Sequence, residues 1–321
     1  WSSDGCSSDL FLNNHLRWVI GGRCDKFSSI HDAVFSPRTT LVLKPAEAHS
    51  FRVSVNRAFR APSYVNNHID TAIINQVSLA PINPSLGLFA FPIRAVGNPD
   101  LKQETMTAVE AGYTGVVRKR ATVTVAVYRN QTRNGIYFNP IANFTSAAPP
   151  PRWPLPPQVL DLLAASGRAI PSRYSYVNIG RIVDKGVELG VDGAVSQAVN
   201  AYANYSYQWT PVTAGAFTLA DINLPAHHRA NAGFDFSRSR YLGNLSVSYT
   251  GQAYWQDVLD VRYAGTTKPY TLVNGGFGVR WAHDVVTTSV KVTNLANQEV
   301  MAHVFGDVLK RSVIGELRVA F

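Results

Sequence analysis

Residues 310–321 read K-R-S-V-I-G-E-L-R-V-A-F. Val313, Gly315, Leu317, Val319 and Phe321 alternate with a set that includes Glu316 and Arg318. That two-residue period is the mark of a β-strand with one apolar and one polar face. So short a stretch suits the last strand of a soluble sandwich as well as a membrane strand, and the rest of the chain decides between them.

Upstream, the same alternation recurs. Over residues 14–25, Leu16, Trp18 and Ile20 oppose Arg17, Arg23 and Asp25; over 34–44, Phe35, Thr39, Leu41 and Leu43 oppose Ser36, Arg38 and Lys44. Phe51, Val53 and Val55 alternate with Arg52, Ser54 and Asn56, and Val123, Val125 and Val127 with Thr122, Thr124 and Ala126. Val187, Leu189 and Val191 likewise oppose Glu188 and Asp192. Further strands are expected over 101–113, 121–136, 174–192, 200–209, 225–236, 242–254, 270–281 and 285–295. The expected fold is all-β, an antiparallel meander of about twelve strands.

Two stretches break the rhythm. Residues 59–98 form a long Pro- and Asn-rich connection. Residues 139–173 form a second, with a polyproline-like run at 149–157 and one or two helical turns over Gln158–Ala165. The other connections alternate in length: 210–223, 255–268 and 296–309 are long, whereas those near 45–49, 115–120, 193–199, 237–240 and 282–284 are short. A sandwich has no reason to gather its short turns at one end, whereas outer-membrane barrels have short periplasmic turns and long external loops. Tyr113, Phe236, Trp281 and Phe321 fall at the short-turn end, and Tyr254, Trp255 and Tyr270 flank a long loop, as two aromatic girdles would. The reading is a transmembrane β-barrel, which places the chain in the outer membrane of a diderm bacterium.

Composition agrees. Charged residues make up 16% of the chain, against roughly 25% in soluble domains. No run approaches the ~18 apolar residues of a membrane helix, a test that barrel strands of about ten half-polar residues escape. The net charge of +9 is spread thinly over the strands, with no dense stripe and no reader motif, so nucleic acid is not an expected partner. Cys6 and Cys24 form neither a disulfide framework nor a metal spacing. Residues 1–10 lack the layout of a signal peptide, and their D-G-C-S-S-D-L run at 4–10 reads as a translated adapter. They are set aside as a non-native leader, leaving 11–321 as a partial barrel. No G-x-S-x-G elbow, H-E-x-x-H pair or Walker loop occurs, so no enzyme is expected. Gly275-Gly276-Phe277-Gly278 lies inside an expected strand, where small residues relieve packing against a neighbour.

Residues 51–63, F-R-V-S-V-N-R-A-F-R-A-P-S, resemble the strand-plus-FRAP segment of TonB-dependent outer-membrane receptors, and residues 98–104, N-P-D-L-K-Q-E, their NPxLKxE segment. Phe35-Ser36-Pro37-Arg38, Asn178 with Gly186-Val187-Glu188-Leu189, Thr293-Asn294-Leu295 and the Phe-terminated strand resemble the same family, in the same order. The resemblance implies the carboxyl-terminal half of a barrel of about 22 strands, left open or incompletely closed. It implies a plug domain and a TonB box upstream of these residues, and active uptake of a ferric siderophore or similar bulky nutrient through the TonB complex. Lipid and lipopolysaccharide would surround the wall, and the final Phe321 would serve as the assembly signal.

Ligand capture is expected in the two long connections, through Arg60, Tyr64, His68, Arg94, Tyr137, Arg152, Trp153, Arg173 and Tyr174, whose cations and rings suit anionic iron chelates. Arg60, at the lip ahead of Pro62, is open to an anionic ligand, to lipopolysaccharide phosphate or to a loop carboxylate. Most of inward Glu104, Glu110, Glu188, Arg38, Arg52 and Arg318 are expected to form ion pairs with neighbouring strands or the plug, and the remainder to line the ligand route. Some haem receptors of the family place an axial His between FRAP and NPxL, where His68 stands, so haem is the alternative cargo. Adjacent His227 and His228 would point to opposite faces of a strand and share no metal. No resident cofactor or metal is expected. A passive porin or structural barrel, and a soluble all-β domain, are the rival classes.

Overall fold

The computed structural model describes residues 2–13, 15–27, 33–215, 218–256, 264–304 and 306–320. Phe321 and much of the 255–268 connection lie outside the described residues. The chain opens with β1 (Ser2–Asn13), β2 (Leu16–Lys26), β3 (Val34–Ala46) and β4 (His49–Arg60). A short helix α1 (Tyr64–His68) leads into the hairpin β5 (Asp70–Ser78) and β6 (Leu88–Val96). Then come β7 (Glu104–Val117), β8 (Ala121–Asn143), helix α2 (Gln158–Ala165), β9 (Pro171–Ala194), β10 (Val199–Gln208) and β11 (Val212–Ala214). The remainder comprises β12 (His228–Arg238), β13 (Tyr241–Thr250), β14 (Ala253–Trp255), β15 (Gly265–Thr267), β16 (Tyr270–Trp281), β17 (Val286–Thr293) and β18 (Ser312–Val319).

Among the described residues, thirteen strands line up in the order β1-β2-β3-β4-β7-β8-β9-β10-β12-β13-β16-β17-β18, and the sheet is open at β1 and β18. This is the expected antiparallel meander with one strand added at its start, where residues 2–13 pair with β2 from Ser2↔Lys26 to Asn13↔Leu16. No helix is long and apolar enough to cross a membrane.

The register sorts side chains into two faces. Phe51 and Val53 of β4 lie opposite Tyr113 and Ala111 of β7, which lie opposite Val125 and Val127 of β8, and these opposite Leu189 and Val187 of β9. The other face carries Arg52, Ser54, Asn56, Glu110, Tyr128 and Glu188, continuing into Asn204, Asn231, Ser246 and Asn274. Arg52 pairs across strands with Glu110, as expected, and Lys291 pairs with Glu316, a contact outside the expected set. The apolar face is bare: Phe51 is 46% exposed, Leu189 44% and Leu317 68%. A continuous apolar surface of this extent is stable only against hydrocarbon, so the sheet is barrel wall and not half of a sandwich. The glycines of β16 make room for neighbours, since a Cβ on Gly276 would fall 2.7 Å from Asn244 Oδ1.

Aromatics mark the short-turn end of that face. Tyr113 packs on Phe51 with ring centroids 4.9 Å apart, and Tyr241 stacks on Phe277 at 6.1 Å. Trp281 ends its strand as expected, but β7 runs on past Tyr113 to Val117 and β12 past Phe236 to Arg238, so those two rings sit inside their strands.

The buried core lies beyond the wall, in the long connections, which have more structure than their sequence suggests. Phe91, Ile93, Leu160, Ile170 and Tyr174 form one cluster, with Phe89, Phe138, Phe144 and Trp153 packed around it. The helix over Gln158–Ala165 forms where expected and buries Leu160 in that cluster. The β8–β9 ladder extends past residue 139 to Asn143↔Pro171, because Phe138 packs on Tyr174 and Tyr176 at 5.3 and 4.9 Å. Both faces are covered there, so the two-residue alternation that marks the membrane part is lost.

Candidate ligand-capture site

The external rim is built where three distant segments meet. Pro62 ends the β4 ladder because it has no N–H to give. Ser63 then caps α1, its hydroxyl accepting from Asn66 N at 3.1 Å while the Asn66 side chain accepts from Ser63 N at 2.8 Å. The returning chain passes close beneath α1: a Cβ on Gly97 would lie 2.3–2.4 Å from the Asn67 carbonyl and His68 N, so only glycine fits. Gly97 N donates to Ile69 O at 2.6 Å and Asn98 N to Asn66 O at 2.9 Å.

Asn178 of β9 fastens the N-P-D-L-K-Q-E segment. Its amide donates to the carbonyls of Lys102 and Asn134, each at 2.8 Å, and its oxygen accepts from Lys102 N at 2.7 Å. Asn98 Nδ2 adds a bond to Tyr176 O at 3.1 Å. Glu104 opens β7 by accepting from Arg60 Nη2 at 2.8 Å and from Ile136 N at 3.1 Å. The FRAP-like run, the NPxLKxE-like run and Asn178 are therefore one brace between the wall and the loops above it.

On that brace stands the hairpin β5–β6, joined in parallel to β9 through Arg94↔Arg173, Ala95↔Tyr174 and Val96↔Ser175. Arg94 holds Asp70 from Nε and Nη2 at 2.9 and 2.7 Å. That hydrogen bond draws the Asp70 carboxyl below its ordinary range and raises the guanidinium of Arg94. An open concavity of about 620 Å³ lies beside them, lined by Asp70, Arg94, Pro92, Phe144, Pro151 and Ser172.

The structure divides the sequence-selected residues by environment. Tyr64 is 81% exposed and its ring lies 4.8 Å from that of His68, one turn along α1, also exposed. Arg94, Arg152 and Arg173 are exposed, and the β6–β9 register brings Arg94 and Arg173 together. Arg60 turns to the charged face, and its carboxylate partner, Glu104, is on a strand and not in a loop. Tyr174, at 3% exposure, and Trp153, edge-on to Phe89 at 5.3 Å, belong to the loop core. Tyr137 packs beside Ile179 and Ile182; burial first, and then nearby Glu104, push its phenol up.

Asp70 and the bracing role of Asn178 escaped the sequence reading. Nothing in a linear pattern announces a partner for Arg94 in a turn-rich stretch. Among the described residues no cluster of His, Cys, Asp and Glu suits a metal ion. His227 Nδ1 meets Gln208 O at 2.6 Å and His228 Nδ1 meets Tyr205 Oη at 2.7 Å, so the two rings have different hydrogen-bond partners, while both lie against the ring of Tyr207.

The family model described as TonB dependent receptor-like, beta-barrel matches residues 8–295. A search of curated proteins found no match. Among solved structures, the siderophore receptor PirA from Acinetobacter baumannii is similar with TM-score 0.74 and 16% identity, over 99% of this chain and 45% of that one. A mutant of the ferric enterobactin receptor PfeA from Pseudomonas aeruginosa gives 0.72 and 15%, over 99% and 44%. PirA from Pseudomonas aeruginosa gives 0.67 and 16%, over 99% and 48%. The chain thus spans less than half the length of these receptors, and at such identities the likeness is one of fold.

Proposed function

Because this chain belongs to the TonB-dependent receptor-like β-barrel family, a family of transport receptors and not of enzymes, we propose that it forms wall and external loops of an outer-membrane receptor for a ferric siderophore or similar bulky iron chelate. The observation that carries the reading is the bare apolar face backed by a charged one, topped by a braced loop assembly that displays Tyr64, Arg94, Arg152 and Arg173. Cations and an exposed ring at the loop surface suit an anionic, aromatic chelate. Siderophore receptors among the structural neighbours support that cargo class. Uptake would run through the TonB complex and a plug, neither of which these residues supply.

The haem alternative rests on His68, exposed on α1 beside Tyr64, with an imidazole available to iron. Uptake assays separate the readings. A diderm strain stripped of its own iron receptors and given the full receptor is fed labelled ferric catecholates, ferric hydroxamates or haem. Chelate uptake that stops with a proton uncoupler supports the proposal. Uptake of haem alone moves the cargo to haem, and passage of small solutes alone, indifferent to the uncoupler, makes the protein a passive pore.

A further inference from the structure

Arg129 and Lys185 stand directly opposite each other on β8 and β9, and Arg133 and Arg181 do so further up the same ladder. Unbroken alternation puts all four on the face of Val125, Val127, Val187 and Leu189, and all four are exposed. Like charges facing across an antiparallel pair repel, so two such pairs on one patch call for an anion from outside the chain. Among the described residues no carboxylate answers them. Asp184 and Glu188, interleaved with these positions, turn to the charged face, Asp184 toward Gln208. Between the two arginines of β8 lies neutral Gln131. Its amide oxygen in one orientation accepts from Arg133 Nε and Nη2 at 2.8 and 2.9 Å, and in the other stands 3.4 Å from Arg129 Nη2. A single amide oxygen cannot serve both guanidiniums.

Depth identifies the anion. The patch begins where the valine and leucine rows end, on the long-loop side, and Lys185 Nζ lies 5.9 Å from the ring of Trp209. An aromatic at the upper end of an apolar band marks the boundary between hydrocarbon and headgroups. We propose that Arg129, Arg133, Arg181 and Lys185 form a binding site for the phosphates of a phosphorylated glycolipid in the outer leaflet, its acyl chains lying along Val127 and Val187. The site rests on the membrane reading above but is separate from ligand capture. It also moves lipopolysaccharide contact away from Arg60, which faces the other way and is held by Glu104.

The test uses the full receptor, purified in detergent and stripped of lipid, with doubly phosphorylated lipid A or its dephosphorylated form as probe. Native mass spectrometry counts the lipid retained, and heat-modifiable gel mobility confirms that each variant is folded. Arg133→Gln with Arg181→Gln should cut retention of the phosphorylated lipid roughly tenfold and leave the dephosphorylated form unchanged. Arg118→Gln with Arg120→Gln, which removes equal charge at the opposite rim, should change neither. Equal retention of both lipids by the unaltered receptor, or an equal loss in the rim control, overturns the site and leaves the transport reading standing. A receptor that stays soluble without detergent overturns both.

Discussion

Arg60 and Glu104 face each other at the last rung between β4 and β7, and the same Glu104 oxygen that takes the guanidinium at 2.8 Å also accepts the amide of Ile136 at 3.1 Å. One carboxylate therefore ties three strands at the point where wall becomes loop. The ion pair is half in solvent and contributes little alone, but the Ile136 amide is buried and has to be satisfied. Glu104→Gln should cost on the order of 1 kcal/mol, and Glu104→Ala about 1–3 kcal/mol because it orphans that amide. Urea unfolding of the two variants, with hydrogen exchange at Ile136, checks the order.

Asn178 is irreplaceable for a different reason. It gives two protons and takes one, and all three partners are backbone groups. Asn178→Asp keeps the shape but faces two carbonyls with an oxygen that cannot donate. It should destabilise the brace at least as much as Asn178→Ala, by about 1–3 kcal/mol. Faster exchange at Lys102 N in both variants is the readout; an aspartate variant as protected as the parent sinks the account.

The wall itself offers a paired test. Leu245 lies between Phe234 and Gly275 on the apolar face, and Ser246 between Gly233 and Asn274 on the polar one. Arg at a lipid-facing position near the midplane costs about 2–4 kcal/mol, and almost nothing where the face is wet. Leu245→Arg should therefore impair insertion and Ser246→Arg should not, measured as the folded fraction recovered in outer membranes.

The wall was legible in the sequence because a lipid face and a wet face write a two-residue alternation that survives every strand, from Leu16, Trp18 and Ile20 to Val313, Leu317 and Val319. The rim was legible only as motifs. That Asn178 reaches Lys102, or that Arg94 has Asp70, depends on contacts between segments far apart in the chain. The loop core was hidden for a physical reason. Phe91, Ile93 and Tyr174 sit in short pieces covered on both faces, so their apolar residues carry no period to read. Trp153 and Tyr174, expected from the sequence at the ligand surface, pack in that core and hold the loops together.

Gly97 is the narrowest point of the loop assembly. Its missing Cβ leaves space for the backbone of Asn67 and His68, and neither can retreat without unwinding α1. Gly97→Ala should cost about 1–3 kcal/mol locally and displace Tyr64 and His68 while the wall still inserts. Heat-modifiable mobility unchanged, with chelate affinity lowered, is the expected pair of results. Unchanged affinity would mean that α1 takes no part in capture.

The hairpin should loosen only in acid. Arg94 lowers the Asp70 carboxyl below its ordinary 3.8 through two hydrogen bonds, so the folded hairpin binds that proton less readily than the unfolded chain. A group with a depressed folded value stabilises fully above its unfolded value and loses that contribution as the pH falls through the folded one. Exchange protection across β5 and β6 should therefore be flat from neutral pH down to about 4 and decline below it. The Asp70→Asn variant should show the weaker protection at neutral pH and lose the acid step. Because the pair is fully solvated the step should be small and should shrink with salt, which distinguishes it from any general acid unfolding of the wall.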